Sequence, residues 1–282
     1  MSFVEAIIKS TRQLPPFPAV VNKALDLINN PKSSIQEVVE TIQYDQAITA
    51  NVLKICNSAQ FGLRYPVGSL QEALMFLGFN QLFEIIMATV SGSTLGKAVS
   101  GYDLEAGALW KHSVSTALLS QIISKRLKKD QSPLLFTAAL IHDIGKVLLH
   151  SYVEEQFEAI KEQVRAKGIS FLTAEKDVLG IDHAELSALI TEEWNFPQGI
   201  IQAIRYHHTP LSAHSEQELV YQIYLCDLIA MLTGIGGGVD GLSYTGFNQV
   251  MHHFGLDEKD IERFMAQLGD QIQKVEAMIQ VQ

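Results

Sequence analysis

The chain has 282 residues, 47% of them hydrophobic, enough to bury a substantial core in one large domain or two modest ones. Its 21 basic and 31 acidic side chains leave a net charge of −10, a surface that argues against a nucleic-acid partner. Two distant cysteines, Cys56 and Cys226, without a CxxC pattern, exclude a disulfide framework and point to a reducing cytoplasm.

The dominant period along the chain is helical, and the expected fold class is all-α. Met1-Ser2-Phe3-Val4-Glu5 has no signal-peptide pattern, and no apolar run reaches the ~20 residues of a membrane span, so the expectation is a cytoplasmic protein with no membrane contact. Pro15-Pro16-Phe17-Pro18 opens a segment with Val20, Val21, Ala24 and Leu25 at helix spacing, stopped by Asn29-Asn30-Pro31. Ser34-Ile35-Gln36-Glu37 has the form of a capping box, Ser34 bonding the third amide and Glu37 reaching back. Asp45 starts another helix. Ser69-Leu70-Gln71-Glu72 is a second capping box, with Gly78 closing its helix, and an apolar helix follows from about Asn80 to Val90.

Ser91-Gly92-Ser93 and Ser100-Gly101 read as a turn-rich connection between two helical halves. Leu104 to Leu127 then predicts a long helix carrying His112. Ser132 and Pro133 are a natural cap and first residue for a helix ending in His142-Asp143. Further helices are expected over Phe157 to Ala166, from Asp182 as cap, over Pro197 to Tyr206, and over Leu219 to Leu232. Gly234 to Gly246 is a glycine-rich loop without the lysine and hydroxyl of a P-loop, and a polar helix begins near Asp257. The expected organisation is an N-terminal half over 1–100, a second half over 101–232, and a loop with a helical extension over 233–282.

Seven side chains stand out chemically: His112, His142, Asp143, His183, His207, His208 and Asp227. Imidazole nitrogen and carboxylate oxygen are the usual ligands of divalent transition metals. His142-Asp143 ends an apolar run, where a buried aspartate is costly unless paired or metal-bound. Asp227 is the only charge in Leu225-Cys226-Asp227-Leu228-Ile229-Ala230, and a metal or histidine partner would compensate it. His112 shares a face with Leu109 and points inward; taken alone, it reads as a core histidine. Adjacent histidines diverge on a regular helix, so one of His207 and His208 is the safer ligand. Lys146, just beyond Asp143, reads either as a holder of a phosphate oxygen or as an exposed cation near a helix end. The basic run Lys125-Arg126-Leu127-Lys128-Lys129 is explained by a helix C-terminus.

The order of these residues resembles the HD superfamily of metal-dependent phosphohydrolases. His112 matches its first histidine, His142-Asp143 its doublet, and Lys146 the lysine of the HDxGK form. Gly180-Ile181-Asp182-His183-Ala184-Glu185, then Trp194-Asn195-Phe196-Pro197 with Ile204-Arg205-Tyr206-His207-His208, then Asp227 match the later blocks. Leu14-Pro15-Pro16-Phe17-Pro18, Asp45-Gln46-Ala47-Ile48-Thr49, Leu53-Lys54-Ile55-Cys56-Asn57-Ser58-Ala59 and Ala73-Leu74-Met75-Phe76-Leu77-Gly78 are similar to the HDOD family, the HD-related output domain, over about residues 11–212.

The resemblance implies a multi-helix HD-superfamily domain preceded by an N-terminal helical bundle half. It implies two divalent ions (iron, manganese, zinc or nickel) with Asp143 bridging. His112, His142 and Asp227 would serve one ion, His183 with His207 or His208 the other. It also implies bacterial signal transduction with a signalling protein partner, and a nucleotide or phosphate-ester ligand. Asp143 and Lys146 are the implied catalytic residues. Thr209-Pro210-Leu211 stands where the cyclic-di-GMP phosphodiesterase branch carries Gly-Tyr-Pro, so that substrate is not implied. The alternative is a non-catalytic regulatory module whose metal is structural or sensing.

Overall fold

A computed structural model of the chain describes residues 100–105, 108–129, 133–193, 198–235 and 245–279, with shorter stretches between 27 and 85 (27, 30, 33, 34, 36–38, 61, 73–78, 80–82, 84 and 85). The described residues form helices and turns, with no strand among them. None of these helices is long and apolar enough to cross a membrane. The chain divides into two compact units, one of Met1–Leu14 with Thr94–Gly269, the other of Pro15–Ser93 with Asp270–Gln282.

In the second unit the capping box over 34–37 forms as expected. The Ser34 amide donates to Glu37 Oε2 at 2.7 Å, and the Glu37 amide donates to Ser34 Oγ at 3.3 Å. Gly78 stands at the end of helical residues 73–78 with φ +74°, the left-handed backbone that a glycine cap adopts. Val38, Ala73, Leu74, Leu82 and Ile85 are buried there. The segment opened by Pro15, the helix at Asp45, the capping box over 69–72, Ser91-Gly92-Ser93, Ser132, Trp194–Pro197 and Gly236–Gly238 lie outside the described residues.

The first unit carries α1 (Ala108–Arg126), α2 (Pro133–Ile141), α3 (Ile144–Lys167), α4 (Phe171–Leu179) and α5 (His183–Glu193). These are followed by α6 (Gln198–Arg205), α7 (Gln217–Leu232), α8 (Phe247–Phe254) and α9 (Glu258–Ile279), the last grouping with this unit as far as Gly269. α1 packs on α2 and α7, α6 packs on α2, α5 and α7, and α3 packs on α4 and α5. α7 is the central rod: Gln222 to Ala230 are all buried, as expected of a helix apolar around its circumference. α2 starts with Pro133 in its first turn and buries Leu135, Phe136, Ala138, Ala139, Leu140 and Ile141.

Several helices depart from expectation. α3 runs unbroken from Ile144, not from Phe157, because Leu149, Val153 and Ile160 extend its buried stripe back to the doublet. α1 begins at Ala108, not Leu104; the chain ahead of it makes a 3-10 turn over Ser100–Tyr102 that packs on α3. α4 was not anticipated. Ser170 caps it by accepting the Thr173 amide at 3.1 Å, and Gly180, at φ 79°, ends it. α8 likewise fills what reads as the far side of a loop. Asp182 caps α5 as expected, accepting the Glu185 amide at 2.7 Å.

The basic run after α1 does more than face a helix end. Arg126 donates twice to the buried carboxylate of Asp260 on α9, at 2.9 and 3.0 Å. Lys129 pairs with Glu218 on α7 and lies over the Phe254 ring.

Candidate metal centre

All seven candidate ligands converge inside the first unit. His112 comes from α1, His142 and Asp143 from the turn between α2 and α3, and His183 from the first position of α5. His207 and His208 follow α6, and Asp227 sits on α7. Six of them are 2% exposed or less; the side chain of His208 is 13% exposed.

Their geometry falls into two groups. His112, His142 and Asp227 form one, and Asp143, His183, His207 and His208 the other, each with ligand atoms within 4.8 Å of one another. His112 Nε2 lies 3.0 Å and His142 Nε2 3.6 Å from Asp227 Oδ1. Asp143 faces both groups: its Oδ2 is 3.4 Å from His142 Nε2 and 3.7 Å from His112 Nε2. Its Oδ1 is 3.6 Å from His183 Nε2 and 3.8 Å from His207 Nε2. Both members of the His207-His208 pair take part, because α6 ends at Arg205 and they follow in a turn. His208 places Nε2 3.0 Å from His183 Nε2 and Nδ1 3.8 Å from Asp227 Oδ2.

Asp143 occupies the cap position of α3 yet makes no capping hydrogen bond. Its carboxylate turns to the cluster and to Lys146, whose Nζ lies 2.7 Å from Oδ2. Lys146 is buried, with Nζ 5.7 Å from the centre of the Tyr102 ring, so it is no exposed helix-end cation.

Behind the cluster a second layer fixes the rings. His142 Nδ1 faces the Ala139 carbonyl at 2.8 Å, His207 Nδ1 that of Ile204 at 2.6 Å, and His112 Nδ1 that of Ile235 at 3.2 Å. An Nδ1–H donating to each carbonyl leaves the Nε2 lone pair aimed at the centre, the tautomer a metal-binding histidine needs. His183 has a carboxylate instead. Glu175 Oε2 lies 2.8 Å from its Nδ1 and accepts its backbone N–H at 3.0 Å, while Glu175 Oε1 accepts the Tyr102 hydroxyl.

Glu175, Tyr102 and Gly145 were not singled out by sequence reasoning. Glu175 had one signal: with Phe171, Ala174 and Leu179 it completes the buried stripe of α4, a lone acid on an apolar face. Gly145 sets the approach of α3 to α5, since a Cβ there would lie 2.4 Å from the His183 carbonyl oxygen and 2.9 Å from the Ser187 amide nitrogen. Its own N–H donates to Ser187 Oγ at 2.8 Å.

The electrostatics are those of a site assembled around charge. Burial disfavours the ionised form of Asp143, but His142 and Lys146 outweigh it and hold the carboxyl well below its ordinary value. Asp227 is lowered in the same way by His112 and His142. His142 is raised to about 10 because Asp143 and Asp227 overcome its burial. His207 is pushed down to about 3 by burial and by the charge on His142, and burial among the other imidazoles lowers His208.

Three buried ligand atoms have no hydrogen-bond partner: His142 Nε2, Asp143 Oδ1 and His207 Nε2. Each such atom costs roughly 1–3 kcal/mol. All three face the interior of the cluster, so the residues present fit a divalent ion in each group.

Fold and cluster together define an all-α protein with a buried histidine–aspartate cluster that could hold metal ions. The HDOD domain family matches residues 14–210, and the chain belongs to that family. An uncharacterized protein of Treponema pallidum (strain Nichols) is 25% identical over 197 residues, 69% of this chain and 37% of its own length. YuxH of Bacillus subtilis (strain 168) is 26% identical over 131 residues, 46% of this chain and 31% of its own length. The chain thus spans about a third of the length of the curated relatives it matches. An HDOD domain protein of Geobacter sulfurreducens, of unknown function, shares the fold with a TM-score of 0.73 at 24% identity, covering 99% of this chain and 98% of its own. A candidate phosphohydrolase of Shewanella amazonensis SB2B superposes with a TM-score of 0.63 at 25% identity, covering 92% and 98%. A candidate signal transduction protein of Marinobacter aquaeolei VT8 does so with 0.78 at 21%, covering 98% and 64%.

Proposed function

We propose that this HDOD chain binds two divalent transition-metal ions, one in each ligand group, and uses them to hydrolyse a phosphate ester in bacterial signalling. The observation that carries this reading is Asp143, whose two carboxylate oxygens face the two groups separately. Divalent ions held by these residues would supply a water activated near neutral pH and a Lewis acid for the phosphoryl oxygen. The chain's own residues do the rest. His112, His142 and Asp227 hold one side, and His183, His207 and His208 the other. Lys146 adds a fixed cation beside Asp143, directed at charge on the phosphoryl group.

The test is to purify the protein without chelator, measure bound metal, and assay phosphate-ester and phosphodiester hydrolysis. About two ions per chain, with activity lost in Asp143→Ala, is the expected outcome. Metal-free protein, or activity unchanged by the substitution, would sink the proposal.

A second reading, a regulatory module with a structural or sensing metal, is favoured by burial. Six of the seven ligands are closed to solvent, and Lys146 is already engaged with Asp143. It predicts full metal occupancy with no turnover of any phosphate ester. In both readings the N-terminal half presents a surface to a signalling protein, a reading supported by exposed Met75 and Phe76. Crosslinking of the full chain in a cell extract, compared with Met75→Ser/Phe76→Ser, tests it; an unchanged crosslink pattern counts against this surface.

A further inference from the structure

His208 belongs both to the ligand cluster and to an open cleft. His208 lines a cleft of about 400 Å³ between the outer face of α4, the start of α5 and the turn after α6. Since the other six ligands are 2% exposed or less, a molecule reaching the centre by this route passes His208 first. The volume lies near the low end of the ~300–1,000 Å³ of small-molecule sites.

The charges on its walls limit what else can sit there. Three carboxylates (Asp177, Asp182, Glu185) face two cations (Lys176, Arg205), one negative charge in excess. The cations are also committed: Lys176 lies 2.7 Å from Glu185 and 3.6 Å from Asp182, and Arg205 lies 3.5 Å from Glu192. Lys167, outside the cleft, lies 3.6 Å from Asp177, so the excess of one negative charge stands with these neighbours counted. A second phosphate in this cleft would meet net negative charge with no cation to spare, whereas Leu172 and Tyr206 offer apolar and aromatic surface. Resting on the metal-centre reading above, we infer that the cleft seats the alcohol portion of a phosphomonoester, and that this portion is compact and carries no anionic group. The phosphoryl end lies against His208 and the remainder against Leu172 and Tyr206. A cyclic dinucleotide is excluded on both size and charge.

The experiment uses the full chain loaded with manganese(II) and calorimetric titration of four probes. Phenyl phosphate should bind about tenfold tighter than inorganic phosphate, the return on burying one ring. The same ring with an added anion, 4-carboxyphenyl phosphate, should lose most of that gain, and a cyclic dinucleotide should not displace phenyl phosphate. Leu172→Trp, which fills the cleft, should erase the preference for phenyl phosphate while leaving manganese binding intact. Thr173→Trp, at an exposed position on the same wall, gives the same readout should Leu172→Trp not fold. Equal affinities for phosphate and phenyl phosphate, or displacement by the dinucleotide, overturn the inference but leave the metal centre standing. Failure to bind manganese at all overturns both.

Discussion

Glu175→Gln separates the two ligand groups by a change that keeps size and hydrogen bonding. Glu175 is fully buried and accepts three hydrogen bonds, from the Tyr102 hydroxyl, the His183 backbone N–H at 3.0 Å and His183 Nδ1–H at 2.8 Å. A glutamine amide oxygen placed toward His183 still accepts the last two. Its NH2 then faces Tyr102, whose hydroxyl turns from donor to acceptor. What disappears is the negative charge behind His183. Burial lowers the affinity of His183 for a proton, but the Glu175 carboxylate outweighs it and leaves the ring more basic than usual. The same basicity strengthens a bond to a metal. Loss of such a supporting partner typically costs 10–100-fold in affinity, about 1.4–2.7 kcal/mol. Because Glu175 touches none of His112, His142 or Asp227, only the ion held by Asp143, His183, His207 and His208 should weaken. Cobalt(II) titration against a competing chelator, followed by visible absorption, should resolve two affinities in the wild type and show only the one at the His183 group shifted in the variant. Equal weakening of both sites, or no change in either at unchanged melting temperature, would refute the role assigned to Glu175.

Other consequences of the site can be checked as directly. Gly145→Ala drives a methyl onto the His183 carbonyl oxygen and the Ser187 amide, both backbone, so α3 must move off α5. Thermal unfolding should record a loss of about 1–3 kcal/mol, with weaker metal binding at His183, and wild-type stability would show that the close approach is dispensable. The proton on His142, raised from 6.5 to about 10, stabilises the chelated protein below pH 6.5, and that contribution is lost as pH rises through about 10. Metal uptake at pH 7 must expel this proton, so a pH indicator in weak buffer should register its release; none released contradicts the assignment. On the acid side, His207, lowered from 6.5 to about 3, resists protonation in the fold, so stability should fall as pH drops from 6.5 toward 3. Below 3.8 the depressed carboxyls of Asp143 and Asp227 add to that loss. Arg126→Ala removes the bidentate partner of buried Asp260, and because Arg126 is half-exposed the expected cost in a denaturant melt is only about 1–2 kcal/mol.

What sequence could and could not say about this protein follows from how far apart the determining contacts lie. Asp227 was legible because a single charge in an apolar stretch is intolerable alone, and it is indeed buried on the central helix α7 against His112. His142-Asp143 was legible for the same reason, although the doublet occupies the turn between α2 and α3, not the end of a helix. The choice between His207 and His208 was not legible. It depended on α6 stopping at Arg205, which frees both rings from helical divergence. Glu175, Tyr102 and Gly145 are ordinary residues in ordinary settings until α4, the 3-10 turn and α5 close around α3. A glutamate on a nine-residue helix between two glycines carries no sign of its partner eight residues on, and a tyrosine 73 residues away carries less. Ligand atoms advertise themselves because apolar neighbours make them costly. The residues that orient those atoms do not, because each is satisfied by a contact that exists only after folding. The layer behind a metal centre is therefore where structure adds most, and here it sets a carboxylate, Glu175, behind His183 where backbone carbonyls stand behind His112, His142 and His207.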